Sequence, residues 1–182
     1  MNSMNNSKFE YLKYTLDKQL NWIQKADTKS SIFLSVTGIL VTLFMNSKVI
    51  SIFSIVTEYL FTHDVVLRSI FLLTLFVGIL FVVIGCAFLF FSIIPNLNNI
   101  SNQNSHIYFG DIAKNDLAEL KKFFDQESDF LGDLVIQVFV NAKIANQKMK
   151  NCNRGIVCVC VGFVIIFILI LISLLSLPIT NK

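Results

Sequence analysis

The sequence predicts an all-α membrane protein. Three transmembrane helices are joined to a cytosolic helical bundle formed by extensions of the first and third spans. Three observations predict this. The chain of 182 residues is 54% hydrophobic and 15% charged, with 18 Phe and a mean hydropathy of +0.67, a composition outside the range of soluble domains. Three apolar runs stand out: Ile32 to Met45, Val66 to Ile94, and Gly155 to Pro178. Two junctions then join water to lipid without a helix-stop signal. Asn21-Trp22-Ile23-Gln24-Lys25-Ala26-Asp27-Thr28-Lys29-Ser30-Ser31 runs into Ile32 with no Pro, and with no Gly before Gly38. Lys148-Met149-Lys150-Asn151-Cys152-Asn153-Arg154 likewise feeds Gly155. Asp27 and Lys29 fall at headgroup level, where charged ends stay hydrated.

Residues 1–29 read as a cytosolic amphipathic helix, because Phe9, Leu12, Leu16, Leu20, Ile23 and Ala26 recur at steps of three and four and form one apolar stripe. Residues 1 to 30 hold five lysines, three acids and no apolar core segment, so no cleavable signal peptide is expected. Ile32 to Met45 is then an internal signal-anchor. This first span is short of the roughly 20 residues a bilayer needs, and it is expected to continue through Asn46-Ser47-Lys48 toward Val49. Residues 50–62 are apolar but interrupted by Glu58, which suits an interfacial or folded-back segment better than a crossing. After a turn at His63-Asp64, the 29 residues from Val66 to Ile94 form the second span, broken only by Arg68. Residues 30–94 thus hold two spans with a short external connection.

Pro95 ends the second span, and Asn96 to Ser105 has a loop composition with five Asn. Residues 95–154 read as a cytosolic helical region where a signal can enter. Ile107-Tyr108-Phe109-Gly110-Asp111-Ile112 suggests a packed strand-like or turn segment before a helix capped near Asn115, with Asp116 and Glu119 in its first turn. Phe124, Leu131, Val138, Ala145 and Cys152 recur every seven residues, with Val135, Ala142 and Met149 alongside. Such stripes want a helical partner. A break near Asp125 to Ser128 divides a short helix from a long one that runs unbroken into the third span, residues 155–178, closed by Pro178.

Lysine and arginine counts give sidedness. Residues 1–30 and 95–154 hold twelve, against three in the first connection and the tail. The N-terminus and residues 95–154 are therefore expected in the cytoplasm.

The residues of chemical interest mostly read otherwise. Cys86, Cys152, Cys158 and Cys160 lie in or beside spans and read as small apolar residues, not as a disulfide framework. His63-Asp64 lacks the converging ligands a metal needs. His106 beside Tyr108 and Phe109 fits a packed hairpin better than a base-stacking site. The net charge of +3 is spread over membrane flanks, which argues against nucleic acid. No Gly-rich phosphate loop, nucleophile elbow or carboxylate cluster appears, so neither catalytic residues nor a metal site are expected.

Ala26-Asp27-Thr28-Lys29-Ser30 leading into the first span, the Leu89 to Pro95 end of the second, Tyr108-Phe109-Gly110-Asp111-Ile112, and the Asp133 to Lys150 helix with Gln137, Ala142-Lys143-Ile144 and Lys148 together resemble one family. It is the transmembrane effectors of bacterial Pycsar anti-phage systems. The resemblance covers nearly the whole chain. It implies a multi-pass inner-membrane effector that senses a cyclic pyrimidine mononucleotide, cCMP or cUMP, made by a partner cytidylate or uridylate cyclase, and then impairs the membrane in abortive infection. The partners implied are this second messenger, the lipid bilayer and further copies in a homo-oligomer, with no cofactor beyond the activating nucleotide. On that reading Lys143, Lys148 or Arg154 are candidates to hold the phosphate, and Trp22, Tyr108 or Phe109 to stack on the base. A non-signalling helical subunit or scaffold of a membrane complex, and an effector of an oligonucleotide-signalling defence system, are the alternatives.

Overall fold

The computed structural model describes residues 3–63, 65–94 and 130–180, with Ile112, Leu117 and Lys121 as isolated helical positions. Every regular element among the described residues is an α-helix: α1 (Ser3–Phe44), α2 (Ser47–His63), α3 (Val65–Ile93) and α4 (Phe130–Thr180). Segments of α1, α3 and α4 are long and apolar enough to cross a membrane. At 1.5 Å per residue, the 42 residues of α1 and the 51 of α4 extend about 63 and 77 Å, roughly twice a hydrocarbon core or more. Each therefore has length to spare beyond its crossing. The loop expected at Asn96 to Ser105, His106, the Tyr108-Phe109-Gly110 turn, the cap near Asn115 and the break at 125–128 lie outside the described residues.

α1 stops where a side chain offers its backbone an alternative. The Met45 N–H still reaches the Val41 carbonyl at 2.9 Å, but the Asn46 N–H turns to Leu43 at 3.3 Å. Asn46 Oδ1 then accepts the Lys48 N–H at 3.0 Å, the bond of an N-cap to the second residue of the next helix. The first span thus ends at Phe44 and does not run on to Val49. α2 is a folded-back helix: Val56 is buried with Phe71 of α3 and Leu169 of α4, and the Phe53 and Phe71 rings lie 5.9 Å apart. At the far end α4 continues to Thr180, two residues past Pro178.

The chain divides into two compact units. The first comprises residues 1–27 and 94–150, the second residues 28–93 and 151–182. In the first unit α1 and α4 pair in parallel. Phe9 packs on Phe130 with centroids 5.7 Å apart, and eighteen residues further along both helices Asp27 meets Lys148. The shielded residues of this part of α1 include Phe9, Leu12, Leu16, Gln19, Ile23 and Ala26; those of α4 include Leu134, Val138, Asn141, Ala145 and Lys148. Both series step by three and four, the seam of a coiled coil. Two expected stripe members fall off it. Leu20 is 47% and Val135 50% exposed, while Leu134 is only 4% exposed. A 3.5-residue repeat places Gln19 and Leu134 inward and rotates their apolar neighbours out.

In the second unit α3 and α4 run antiparallel at close range. Gly78, Val82, Gly85, Leu89 and Ser92 are buried on one helix, and Cys152, Gly155, Val159, Gly162, Ile166, Leu169 and Ser173 on the other. A methyl group at Gly85 would stand 2.6 Å from Val159 Cγ2 and 2.9 Å from the Gly155 carbonyl oxygen; one at Gly162 would stand 2.6 Å from Val82 Cγ2. Lipid tails are as apolar as leucine, so helices in a bilayer gain mainly by close approach, and glycine permits it. α1 adds Ser30, Phe33, Thr37, Leu40 and Phe44 as its shielded face, with Phe44 stacked on Phe163 at 5.6 Å. Two buried hydroxyls turn back onto their own backbone, Thr37 to the Phe33 carbonyl at 2.7 Å and Ser173 to the Leu169 carbonyl at 2.8 Å, which satisfies them where water is absent.

Candidate functional site

The first unit differs from an ordinary coiled coil in what its seam contains. Gln19, Asn141 and Lys148 occupy seam positions, and Asp133 and Gln137 are buried beside them. An apolar seam packs more stably, whereas polar seam residues give up stability to specify one register and partner. Asn141 Nδ2 donates to the Gln137 carbonyl at 2.9 Å, which ties one of these groups to its own helix.

The seam ends in an ion pair. Lys148 Nζ lies 2.5 Å from Asp27 Oδ1, with side-chain exposures of 9% and 35%. Ala26, beside Asp27, is fully buried. The pair is a charge-assisted contact of N⁺–H to O⁻, stronger than a neutral bond. Deleting Asp27 would remove the carboxylate that answers a buried cation, which costs about 1–3 kcal/mol or more for a charged donor. Chemically, the arrangement holds a lysine ready for an anion, with a carboxylate occupying that place.

The other residues singled out by sequence are arranged differently. Trp22 is 49% exposed, with Lys25 Nζ 5.2 Å from its ring centroid. Lys143 is exposed, with Nζ 4.3 Å from the ring centroid of Phe139 on its own helix. Arg154 is exposed and belongs to the second unit. Tyr108 and Phe109 lie outside the described residues. Among the described candidates, Lys148 is the one whose charge is bound within the helix pair. Its partner Asp27 reads from sequence as a headgroup anchor, although one signal does point to the pair. Lys148 falls in the same three-four rhythm as Ala145 and Cys152, and a cation in that rhythm needs an acid opposite. All four cysteines are free thiols.

The family model of the Pycsar effector protein domain matches residues 11–175, from the first unit's α1 segment through all three candidate spans. The Pycsar effector protein GmPycTM of Gulbenkiania mobilis is 29% identical over 166 residues, covering 78% of this chain and 81% of that protein. No solved structure matches. With a family match over most of its length and three helices fit to cross a membrane, the chain belongs to the Pycsar effector family, as a membrane protein of anti-phage defence.

Proposed function

We propose that this effector senses a cyclic pyrimidine mononucleotide, cCMP or cUMP, through its first unit, and that it responds by impairing the inner membrane so that infection aborts. The observation that carries the reading is helix continuity. α1 and α4 each begin in the polar-seamed pair and continue without interruption into a candidate span. A ligand can shift such a structure only by preferring one of two packings. Moving from 1:99 to 99:1 takes roughly 5.5 kcal/mol of that preference.

In this reading the nucleotide phosphate competes with Asp27 for Lys148, and Lys143 adds further positive charge. Trp22, Tyr108 or Phe109 stack on the base. The ligand comes from a partner cytidylate or uridylate cyclase, and the effector works as a homo-oligomer without catalysis of its own. The twelve-to-three charge split supports an N-terminus and a central region in the cytoplasm, where such a ligand is made.

Two measurements test this. Calorimetric titration of the purified protein with cCMP, cUMP and a cyclic dinucleotide should give binding by one of the mononucleotides. Cells co-expressing an active cyclase should lose membrane potential, read with a potential-sensitive dye. Binding only to the dinucleotide would move the protein to another signalling class, and constitutive behaviour with no ligand response would make it a scaffold.

A further inference from the structure

Ser30 of α1, Leu89 and Ser92 of α3 and Cys152 of α4 expose none of their surface, and the helix registers put them at one level of the second unit. A Cβ at Gly155 would meet Leu89 Cγ at 2.7 Å, and in antiparallel helices this register brings Ser92 level with Cys152. Carrying the parallel register of Phe44 on Phe163 back along α1 and α4 brings Ser30 within a turn of Cys152. Three small side chains thus form a closed layer just before the apolar run of α1, which starts at Ile32.

Ser30 differs from the other hydroxyls of its helix. Thr15, Ser35, Thr37 and Thr42 each donate to the carbonyl four residues earlier, at 2.7–2.9 Å. The Ser30 Oγ atom is buried and has no hydrogen-bond partner among the described residues. A hydroxyl taken from water without a partner is penalised, and the penalty falls on the packing that buries it. Alanine would fill nearly the same space without that cost.

We propose that Ser30 is a built-in bias against the closed packing of this layer, its hydroxyl unpaired while the layer is shut and hydrated when α1 parts from it. The inference rests on the two-packing reading given under Proposed function and names a residue that sets the balance between the packings. Lys29, next in the chain, is exposed, so a small parting at this level brings water to Ser30 without drawing it into the apolar run. A ligand then has less preference to supply, because the unpaired group already offsets part of the advantage of the closed packing. General values for such groups put the bias at about five- to 150-fold in the equilibrium between packings.

The native Cys152 reports the opening. The full chain, with Cys86, Cys158 and Cys160 changed to alanine, is placed in lipid nanodiscs and treated with a water-soluble thiol reagent, and the rate of labelling at Cys152 is read by mass spectrometry. In that background Ser30→Ala should slow labelling about tenfold. Two controls should not slow it: Thr37→Val deletes a buried hydroxyl that is already bonded, and Ser35→Ala makes the same change in helix propensity on the exposed side. A thermal transition in each variant shows that it is folded. Adding cCMP or cUMP separates this inference from the nucleotide reading. Faster labelling with nucleotide, alongside slowing by Ser30→Ala, supports both; an unchanged rate with nucleotide, alongside that slowing, supports the bias at Ser30 and counts against the nucleotide as trigger. Labelling as fast as the parent's or faster in Ser30→Ala would overturn the proposal, because the hydroxyl would then have a partner in the closed packing. Equal slowing in Ser35→Ala would overturn it as well, since helix propensity alone would account for the effect.

Discussion

A lysine on a helix–helix seam is stable only with its charge answered, and Asp27 answers Lys148 at 2.5 Å. The two ends of that contact predict different outcomes. Asp27→Ala takes the carboxylate from a buried cation and should lower stability by about 1–3 kcal/mol. Lys148→Met keeps the stem and leaves behind the Asp27 carboxylate, which at 35% exposure can be hydrated, so its cost should be smaller. Thermal unfolding in detergent measures both, and equal losses would mean that the charge does not decide. The seam register gives a second contrast. Leu134→Ala should cost about 2–5 kcal/mol, whereas Val135→Ala, half exposed, should fall within about 0.5 kcal/mol. A reversed order would restore the stripe on which Val135 points inward.

Among the helices, the α3–α4 contact sets the tightest tolerance. The groups nearest a Cβ at Gly85 include the Val159 backbone nitrogen at 2.7 Å, which cannot swing away as a side chain can. Gly85→Ala should therefore destabilise by about 1–3 kcal/mol through overpacking. Gly38, with nothing within 4 Å of an added methyl group, should accept alanine without loss and gain a few tenths to about 1 kcal/mol of helix propensity. Comparing the two by unfolding in detergent separates packing from propensity. Continuity of α1 and α4 makes a further prediction. On the proposed function, inserting Gly-Ser-Gly after Lys29 or after Asn153 should preserve nucleotide binding but abolish depolarisation. Depolarisation at the parental level in both variants would mean that these helices do not carry the signal.

For the whole molecule, the charge split predicts three crossings with the amino end inside and the carboxyl end outside. Single cysteines at Asn5, Ser105 and Asn181, in a background without the native four, would be exposed to an impermeant thiol reagent on intact spheroplasts. Asn181 alone should react, and labelling at Ser105 would reverse the orientation.

The helical class, the three spans and the two junctions are legible in the linear chain, because each is a property of composition along one segment. Twenty apolar residues need lipid wherever they fold, and a helix with no stop signal continues. The capacity of Asn46 to end α1 is also local, but it becomes decisive only through its bond to Lys48. Contacts between segments settle which side of each helix faces inward and what meets there. Leu20 and Leu16 are alike in sequence, and only a partner in 3.5-residue register turns Gln19 inward and leaves Leu20 exposed. Asp27 and Lys148 stand 121 positions apart, so no periodicity joins them. Gly85 and Gly155 likewise owe their importance to a backbone contact across two helices, a relation between segments that no one segment encodes.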